Sequence, residues 1–253
     1  MRRLDRDGVG IAYTVAGTGP AILFTHGFGA TSAMFDGNVD ALARDHTVVT
    51  WDQRGHGASD TPTDPAAYSV DLAVGDLVAL LDAVGADHAV VAGHSLGGYL
   101  SLELHLGHPE RIAALVLIGT GPGFRRTEPR DGWNAMAART ASAFEARGLD
   151  ALGSSEELAG ARHRGAAGLV HTAQGVLPQH DARVIESLPS IAVPTLIVVG
   201  ALDTPFLDGA HYMAGKIPDA ELAVLDGARH APNVTHADEF DERLRSFLDR
   251  GGV

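Results

Sequence analysis

The chain alternates between short apolar runs and longer amphipathic stretches, and this alternation restricts its possible folds more than any other feature. Short runs of this kind form buried strands, and the stretches between them have the periodicity of helices. The runs that predict strands are residues 11–15, 21–25, 46–51, 89–92, 113–118, 195–199 and 221–225. The pattern is typical of βα units wound on one sheet. The predicted fold class is therefore α/β, with a mostly parallel central sheet and helices on both faces.

Helical patterns occupy intervals between the predicted strands and also the end of the chain. A helix is predicted over residues 69–84, where leucines recur on one side and Gly85 follows as a stop signal. The chain closes on a second helix, predicted over about residues 233–249. These helices are expected to cover the sheet.

One long stretch interrupts the alternation. From about residue 122 to residue 189 there is no clear strand-like run, but there are helical patches, many small residues and several charges. Because strands resume afterwards, we interpret residues 122–189 as a helical insertion over one end of the sheet. Residues 1–121 and 190–253 then form the core of a single domain. A separate small domain is the alternative.

A serine stands where one predicted strand meets the helix that follows it. Residues 93–97 read Gly-His-Ser-Leu-Gly, directly after the strand over residues 89–92. Serine is a poor nucleophile unless a base takes its proton and its oxygen is held where substrate can reach it. A Gly-x-Ser-x-Gly turn between strand and helix meets the second requirement. The alternative is a plain tight turn, but the setting favours Ser95 as a nucleophile.

The candidate catalytic partners of this serine are residues that follow other predicted strands. His230 follows the last predicted strand, and Asp203 follows the strand before it. Parallel sheets place functional residues at the carboxyl ends of their strands. Ser95, Asp203 and His230 are therefore expected to meet as a catalytic triad, with His230 as the base and Asp203 orienting it. Asp208 and Asp226 are the alternative acids.

Acyl transfer also requires donors for the developing oxyanion. Residues 26–29 read His-Gly-Phe-Gly and follow a predicted strand directly, so this turn can point a backbone N–H into the site. We expect the N–H groups of Phe28 and Leu96 to form the oxyanion hole. The side chains expected to form an apolar, substrate-binding wall are Phe28, Leu96, Trp133, Met136 and Phe206. Such a wall favours a small to medium hydrophobic ester.

Histidine by itself is uninformative here, because the chain contains 13 of them. The residues near the expected site that we interpret as structural are His26, His56 and His94. Three others fall in the insertion and either line a pocket or face solvent: His163, His171 and His180. No metal or cofactor is predicted, since the sequence has no His-Glu-x-x-His segment and His105 and His108 lack an evident third ligand.

Composition excludes several classes of function. The chain has 19 Lys and Arg against 32 Asp and Glu, a formal charge of −13, and such an acidic surface repels phosphate backbones and anionic lipids. Nucleic acid and membranes are therefore not expected as partners, and a small-molecule substrate is. The absence of cysteine removes disulfides and thiolate catalysis. A charged start and the lack of a long apolar run predict a cytoplasmic protein.

Over nearly its whole length the sequence resembles the α/β-hydrolase superfamily. Five segments carry the resemblance in the same chain order, and they are residues 26–29, 52–59, 93–98, 200–203 and 227–230. The resemblance implies a serine esterase or lipase-like enzyme with a Ser-His-Asp triad in which residues 122–189 form a cap that shapes the pocket. It also implies that residues 52–59 brace the site without taking part in the chemistry.

The same resemblance bears on other reactions of the fold. Haloalkane dehalogenases and epoxide hydrolases use an aspartate nucleophile, whereas position 95 is serine. Carbon–carbon bond hydrolases of the meta-cleavage type typically carry Trp after the catalytic histidine, where this chain has Ala231. That activity and a haloperoxidase-like one stay open as alternatives. From a different class, a small-ligand receptor on a hydrolase scaffold is also an alternative.

Overall fold

The computed structural model describes residues 1–251, so the last two residues of the predicted 190–253 core segment lie outside the described residues. The described chain forms one eight-stranded sheet in the order β1-β2-β4-β3-β5-β6-β7-β8. Its strands are β1 Arg2–Arg6, β2 Val9–Ala16, β3 Ala21–Thr25, β4 Thr47–Trp51, β5 Ala89–His94, β6 Ile112–Ile118, β7 Thr195–Gly200 and β8 Ala220–Leu225.

Most of this sheet is parallel. Strand β1 pairs antiparallel with β2, and β2 pairs antiparallel with β4, but every pairing from β4 to β8 is parallel. The carboxyl ends of the parallel strands consequently meet at one edge, where loops from different parts of the chain converge. The predicted α/β fold class with a mostly parallel sheet is confirmed.

Helices cover both faces of the sheet. They are α1 Asp36–Leu42, α2 Val70–Ala83, α3 Leu96–Gly107, α4 Thr127–Arg147, α5 Ala167–Gly175, α6 Arg183–Ser187, α7 Thr204–Ala214, α8 Pro232–Thr235 and α9 Ala237–Gly251. Helices α1 and α9 pack together on one face, and α2 and α3 pack together on the other. No helix of residues 1–251 is both long enough and apolar enough to span a membrane.

Strand β6 shows how the sheet separates two apolar layers. Leu115 and Leu117 face the layer that contains leucines of α2 and α3, whereas Val116 and Ile118 face the layer that contains phenylalanines of α9. Because side chains alternate between the faces of a strand, a continuous apolar run fills both layers at once. This explains why the central strands read as unbroken apolar runs.

Some elements differ from those expected. Strand β1 and helices α1 and α7 lacked an apolar pattern strong enough to predict them. The predicted helix over residues 69–84 is α2, which begins after Ser69, whose side chain accepts a hydrogen bond from the N–H of Leu72. The closing helix predicted from residue 233 is interrupted, because α8 ends before His236 and α9 begins after it.

The segment between β6 and β7 is helical, as its sequence pattern indicates. It carries α4, α5 and α6, and α4 packs along α5. Buried side chains of α4, among them Ala141 and Phe144, join the apolar layer on the α2–α3 face. This helical segment therefore lies against the sheet domain through a shared apolar layer.

Candidate active site

Ser95 occupies the turn between β5 and α3 in a strained backbone conformation. Its φ of 53° and ψ of −115° lie in a region that residues with a side chain rarely adopt, and such strain persists only where the surroundings impose it. The N–H of Ser95 donates to the carbonyl oxygen of Ile118 at 2.8 Å, and the hydroxyl of Thr120 donates to the carbonyl oxygen of Ser95 at 2.7 Å. Both ends of the Ser95 peptide are thus held by the chain that follows β6.

Two glycines let this turn lie close to its neighbours. A Cβ atom at Gly93 would contact the backbone of Gly97, and one at Gly97 would contact the carbonyl oxygen of Thr25 at the end of β3. Any larger residue at either position would push the turn away from the sheet. The flanking glycines therefore fix where the Ser95 side chain is presented.

His230 and Asp203 form a hydrogen-bonded pair at the same edge. Nδ1 of His230 lies 2.9 Å from Oδ2 of Asp203, and since an ionised carboxylate only accepts, Nδ1 carries the proton and Nε2 is left free to accept one. Asp203 is only 5% exposed, and the ring of Phe206 stacks on the imidazole with centroids 4.8 Å apart. The alternative acids, Asp208 and Asp226, are exposed to solvent.

His94 connects Ser95 to the loop that carries His230. Its Nε2 lies 2.9 Å from the carbonyl oxygen of His230, and the centroids of the two imidazole rings are 4.7 Å apart. Within residues 1–251 no hydrogen bond joins the Ser95 hydroxyl to the His230 ring. In the absence of substrate such catalytic hydrogen bonds are often long, and they tighten in the reactive complex.

The protonation state of His94 follows from its surroundings. Burial, reinforced by the charge of His230, lowers the pKa of His94 well below its usual value of 6.5, so the ring is neutral. Since a carbonyl only accepts, Nε2 of His94 is the protonated nitrogen, and the buried Nδ1 has no partner among the described residues. The orientation of this ring is therefore set by the backbone of His230.

The loop after β3 and the start of α3 each bring one backbone donor close to Ser95. A Cβ atom at Gly27 would lie 3.1 Å from Cβ of Ser95, so this loop runs beside the serine. In the described part of the chain, the N–H groups of Phe28 and Leu96 donate to no protein acceptor. Unused N–H groups beside a nucleophile, one of them at a helix N-terminus, are suited to bind an anionic oxygen.

Three histidines brace this loop from behind. His26 Nε2 accepts from the N–H of Gln53 at 3.0 Å, and His56 Nε2 accepts from the N–H of Gly29 at 3.2 Å. His163, from the helical segment, donates through Nε2 to the carbonyl oxygen of Gly29 at 2.8 Å. The rings pack in sequence, with centroids 5.1 Å apart for His26 and His56 and 5.6 Å apart for His56 and His163.

Neutral rings are required for this bracing, because each accepts a hydrogen bond through an unprotonated nitrogen. In His163 this nitrogen is Nδ1, which accepts from the N–H of Gly57 at 3.2 Å. Burial is the main cause that lowers the pKa of His26 from 6.5 to about 4. Burial also lowers the pKa of His163 and brings that of His56 well below its usual range. His26 and His56 are thus structural, as the sequence analysis expects, and His163 is too.

A cavity of about 370 Å³ opens beside Ser95. The residues that line it are Ser95, Leu96, Tyr99, Thr120, Gly121, Pro122, Gly123, Phe124, Trp133, Leu177, Gln179, Pro205, Phe206 and Gly209. Three of the expected wall residues, Leu96, Trp133 and Phe206, are among them. The wall combines loops at the sheet edge with side chains of the helical segment.

The other two expected wall residues lie elsewhere. The ring of Phe28 packs edge-on against Phe144 of α4, with centroids 5.8 Å apart, and against His56, so its side chain is held in apolar packing behind the loop. Met136 accepts hydrogen bonds from the hydroxyl of Thr140 within α4, through its carbonyl oxygen and its sulfur. It is not among the residues that line the cavity. A one-dimensional pattern does not specify which way such side chains point.

Four residues that lie in or beside the site were not predicted from the sequence, and they are Thr120, Gly119, Tyr99 and Gln179. The first two directly follow β6, so the rule that selected Asp203 and His230 could have found them. No pattern identifies Tyr99 or Gln179. Among residues 1–251 there is no group of three or more His, Asp and Glu side chains arranged to hold a metal ion.

Comparison with known proteins agrees with this architecture. A family model described as alpha/beta hydrolase fold matches residues 20–237. The chain is 30% identical to a crystal structure described as a hydrolase from Pseudomonas aeruginosa PA01, with a TM-score of 0.78 over 98% of this chain and 97% of that one.

Curated relatives extend this similarity. The chain is 29% identical to 3-oxoadipate enol-lactonase 1 of Acinetobacter baylyi, and the alignment covers 96% of this chain and 95% of the relative. It is 33% identical to polyketide synthase ThaQ of Burkholderia thailandensis over 92% of this chain, which spans only 12% of the length of that relative.

Proposed function

Because this chain belongs to the alpha/beta hydrolase family, we propose that it is a serine hydrolase that cleaves a small to medium hydrophobic ester or lactone through an acyl-enzyme on Ser95. One observation carries the proposal. The strained Ser95 lies on the wall of an apolar cavity, at the sheet edge where His230 pairs with Asp203. The enol-lactonase relative supports an ester-type substrate, since an enol lactone is a cyclic ester.

In the first step the hydroxyl oxygen of Ser95 attacks the substrate carbonyl carbon while Nε2 of His230 takes the hydroxyl proton. The carbonyl π electrons move onto oxygen, which becomes an oxyanion. Asp203 accepts a hydrogen bond from the Nδ1–H group of His230 at 2.9 Å. This hydrogen bond keeps Nε2 basic and stabilises the imidazolium that forms.

The N–H groups of Phe28 and Leu96 are assigned to the oxyanion. Neither N–H group donates to an acceptor in the described chain. The loop that carries Phe28 runs beside Ser95 at Gly27. Donors that are fixed before the reaction stabilise the developing charge without reorganising, and each is worth about a hundredfold or more in rate.

The tetrahedral intermediate collapses when His230 returns its proton to the leaving alkoxide, and the alcohol departs from the acyl-enzyme. A water molecule then attacks the acyl carbonyl while His230 takes its proton. Collapse of the second intermediate breaks the bond to Ser95, whose oxygen recovers a proton from His230, and the carboxylic acid is released. In a lactone the alcohol and the acid belong to one product.

We assign residues 122–189 the role of a cap that closes the pocket, and Leu96, Trp133 and Phe206 the role of its apolar wall. Trp133 and Leu177 come from this segment, and they line the cavity beside Ser95 together with Leu96 and Phe206. A volume of about 370 Å³ suits an acyl chain of small to medium size.

Replacement of Ser95 by alanine tests the proposal. We expect Ser95→Ala to lower turnover of a p-nitrophenyl ester by about 10⁴-fold or more and to abolish labelling by a fluorophosphonate. Ser101→Ala is the matched control, because Ser101 is a buried serine of the same helix whose hydroxyl bonds to the carbonyl of Gly97 within α3. That variant should keep its activity and labelling.

Undiminished turnover in Ser95→Ala would contradict the assignment. If the wild-type protein binds esters of graded chain length but neither hydrolyses them nor reacts with the fluorophosphonate, it is instead a small-ligand receptor.

A further inference from the structure

The polar side chains that line the cavity mostly have protein partners. The hydroxyl of Tyr99 donates to Glu103 at 2.9 Å, and the indole N–H of Trp133 donates to the carbonyl oxygen of Leu177 at 2.7 Å. The hydroxyl of Thr120 is bonded to the backbone of Ser95. These groups are occupied, so they do not call for a polar partner on a ligand.

Gln179 differs from them. Its side chain lines the cavity and is 93% buried, with a relative exposure of 7%, yet Oε1 has no hydrogen-bond partner in the described chain. A Cβ atom at Gly123 would lie 2.7 Å from that oxygen, and Gly123 has a φ of +85°, so a glycine makes room for the carboxamide. A buried amide without a partner is unfavourable and points to a group that the ligand supplies.

The backbone that carries Gln179 is clamped to α4. The N–H of Gln179 donates to Oδ1 of Asn134 at 2.8 Å, and Nδ2 of Asn134 donates to the carbonyl oxygen of Gln179 at 2.8 Å. Two residues earlier, Leu177 is held by Trp133. Three hydrogen bonds with two consecutive residues of one helix therefore fix this segment, and the backbone that carries the carboxamide is positioned before any ligand arrives.

The charge of the cavity narrows the ligand further. No residue that lines it carries a charge, so nothing there compensates a carboxylate or an ammonium group. Rotation of a carboxamide by half a turn exchanges its oxygen and nitrogen, and a ligand group with both an N–H and a C=O pairs with either orientation. A neutral amide meets both conditions.

Resting on the proposed hydrolase function, we propose that Gln179 is a specificity-determining residue that selects esters or lactones carrying an amide in the part of the substrate that fills the cavity. Ser95 takes the scissile carbonyl, and Gln179 exchanges hydrogen bonds with the amide. The substrate thus has two polar points joined by an apolar spacer, which matches Ser95 and Gln179, two lining residues whose side-chain oxygens have no hydrogen-bond partner in the described chain.

Matched ester pairs test this proposal. The p-nitrophenyl ester of N-acetyl-β-alanine has the same chain length as the hexanoate ester, and its next homologues match the heptanoate and octanoate esters. For the pair whose spacing fits, wild type should prefer the amide ester, and Gln179→Leu should lower the ratio of the two kcat/KM values by about tenfold or more. Leu177→Met, a change at an apolar wall residue of the same segment, should alter both esters of a pair alike.

Binding supplies a readout that does not depend on turnover. In a Ser95→Ala background, Gln179→Leu should weaken the affinity for the amide ester by about tenfold and leave that for the matched alkyl ester unchanged. Equal losses for both esters of every pair, in rate and in affinity, would overturn the role of Gln179 and make it structural. Preserved selective binding with no turnover in the Ser95-containing protein would instead refute the hydrolase proposal and leave this one standing.

Discussion

The two walls of the cavity are built differently. On the sheet side, Ser95, His230 and Asp203 stand on loops that are joined by hydrogen bonds from Thr120 to Ser95, from His94 to the backbone of His230 and from the ring of His230 to Asp203. On the helical side, the wall is made by Trp133 and a short segment suspended from α4, and Gln179 offers a carboxamide with an unpartnered oxygen. The side chains of Asp203 and His230 pair with each other without a ligand, whereas the carboxamide oxygen of Gln179 has no partner in the described chain.

The residues proposed for catalysis and the residue proposed for substrate selection thus lie on different walls of the cavity. Geometry that must be accurate to a fraction of an ångström lies where parallel strands end, because the sheet fixes those ends relative to one another. We assign substrate recognition to the helical segment, which packs on the sheet domain through a shared apolar layer. Changes on the sheet side should therefore lower the rate for every ester, and changes on the helical side should alter the choice of ester.

The largest effect is expected from Asp203→Asn. An amide in place of the carboxylate no longer holds the His230 tautomer that leaves Nε2 free, and we expect kcat to fall by about 10³-fold or more, with little change in KM. Steady-state kinetics on short and long esters should show the same loss for each. Asp208→Asn, an exposed carboxylate of α7, is the control and should behave like wild type. Full activity in Asp203→Asn would mean that another group orients the base.

A smaller effect is expected from Gly119→Ala. Gly119 has a φ of +51°, and a Cβ atom there would lie 2.6 Å from the carbonyl oxygen of His230 and 3.3 Å from its Nδ1. Displacing the base by up to an ångström lowers the rate by about a hundredfold. The folded protein should also lose about 1–3 kcal/mol of unfolding free energy through backbone strain, measurable by urea denaturation.

Gly132→Ala is the matched change on the helical side. Gly132 lies within α4, and a Cβ atom there would meet nothing within 4 Å. This variant should keep its rate and gain about 0.5–1 kcal/mol in stability. A comparable loss of activity in both variants would contradict the division between the two walls.

The smallest effect concerns pH and the hydrogen bonds of His163, through which the helical segment holds the loop after β3. The three bracing histidines, His26, His56 and His163, have pKa values below 6.5. The pKa of His26 is about 4. Between these two pH values the unfolded chain binds protons that the folded chain does not, so stability falls as the pH decreases through this window. His163→Gln should reduce that slope, which urea denaturation at a series of pH values would measure.

His88→Gln is the control for the pH series, because His88 is exposed. Its slope should equal that of wild type. An unchanged slope in His163→Gln would show that His163 does not contribute to the acid sensitivity of the fold.

Predictability from sequence follows the same division. Strands β3, β5, β6 and β7 are unbroken apolar runs because both of their faces are buried, and each run ends near a turn that carries a residue of the site. The prediction of Ser95 rests on its Gly-x-Ser-x-Gly turn, and that of Asp203 and His230 on their positions after strands β7 and β8. Strand β1 was not predicted, because its sequence, Arg-Arg-Leu-Asp-Arg, forms an exposed edge strand and has no apolar run.

The helical wall could not be predicted in the same way. Helix α4 has no strong apolar stripe, so the sequence does not show that Trp133 faces the cavity while Met136 does not. Gln179 lies between short helices in a stretch with no regular pattern, and its orientation depends on Asn134, 45 residues away. Long-range contacts of this kind leave no periodicity to read.

The hydrogen bond from His94 to the backbone of His230 has a consequence for observing the reaction. The imidazole of His94 is neutral, because its pKa lies well below 6.5. Its centroid lies 4.7 Å from that of His230, whose charge changes during each turnover in the proposed mechanism. Its ring nitrogens therefore act as a built-in spectroscopic reporter. In a protein with ¹⁵N-labelled histidine, the Nδ1 and Nε2 resonances of His94 would register protonation of His230 without any added probe.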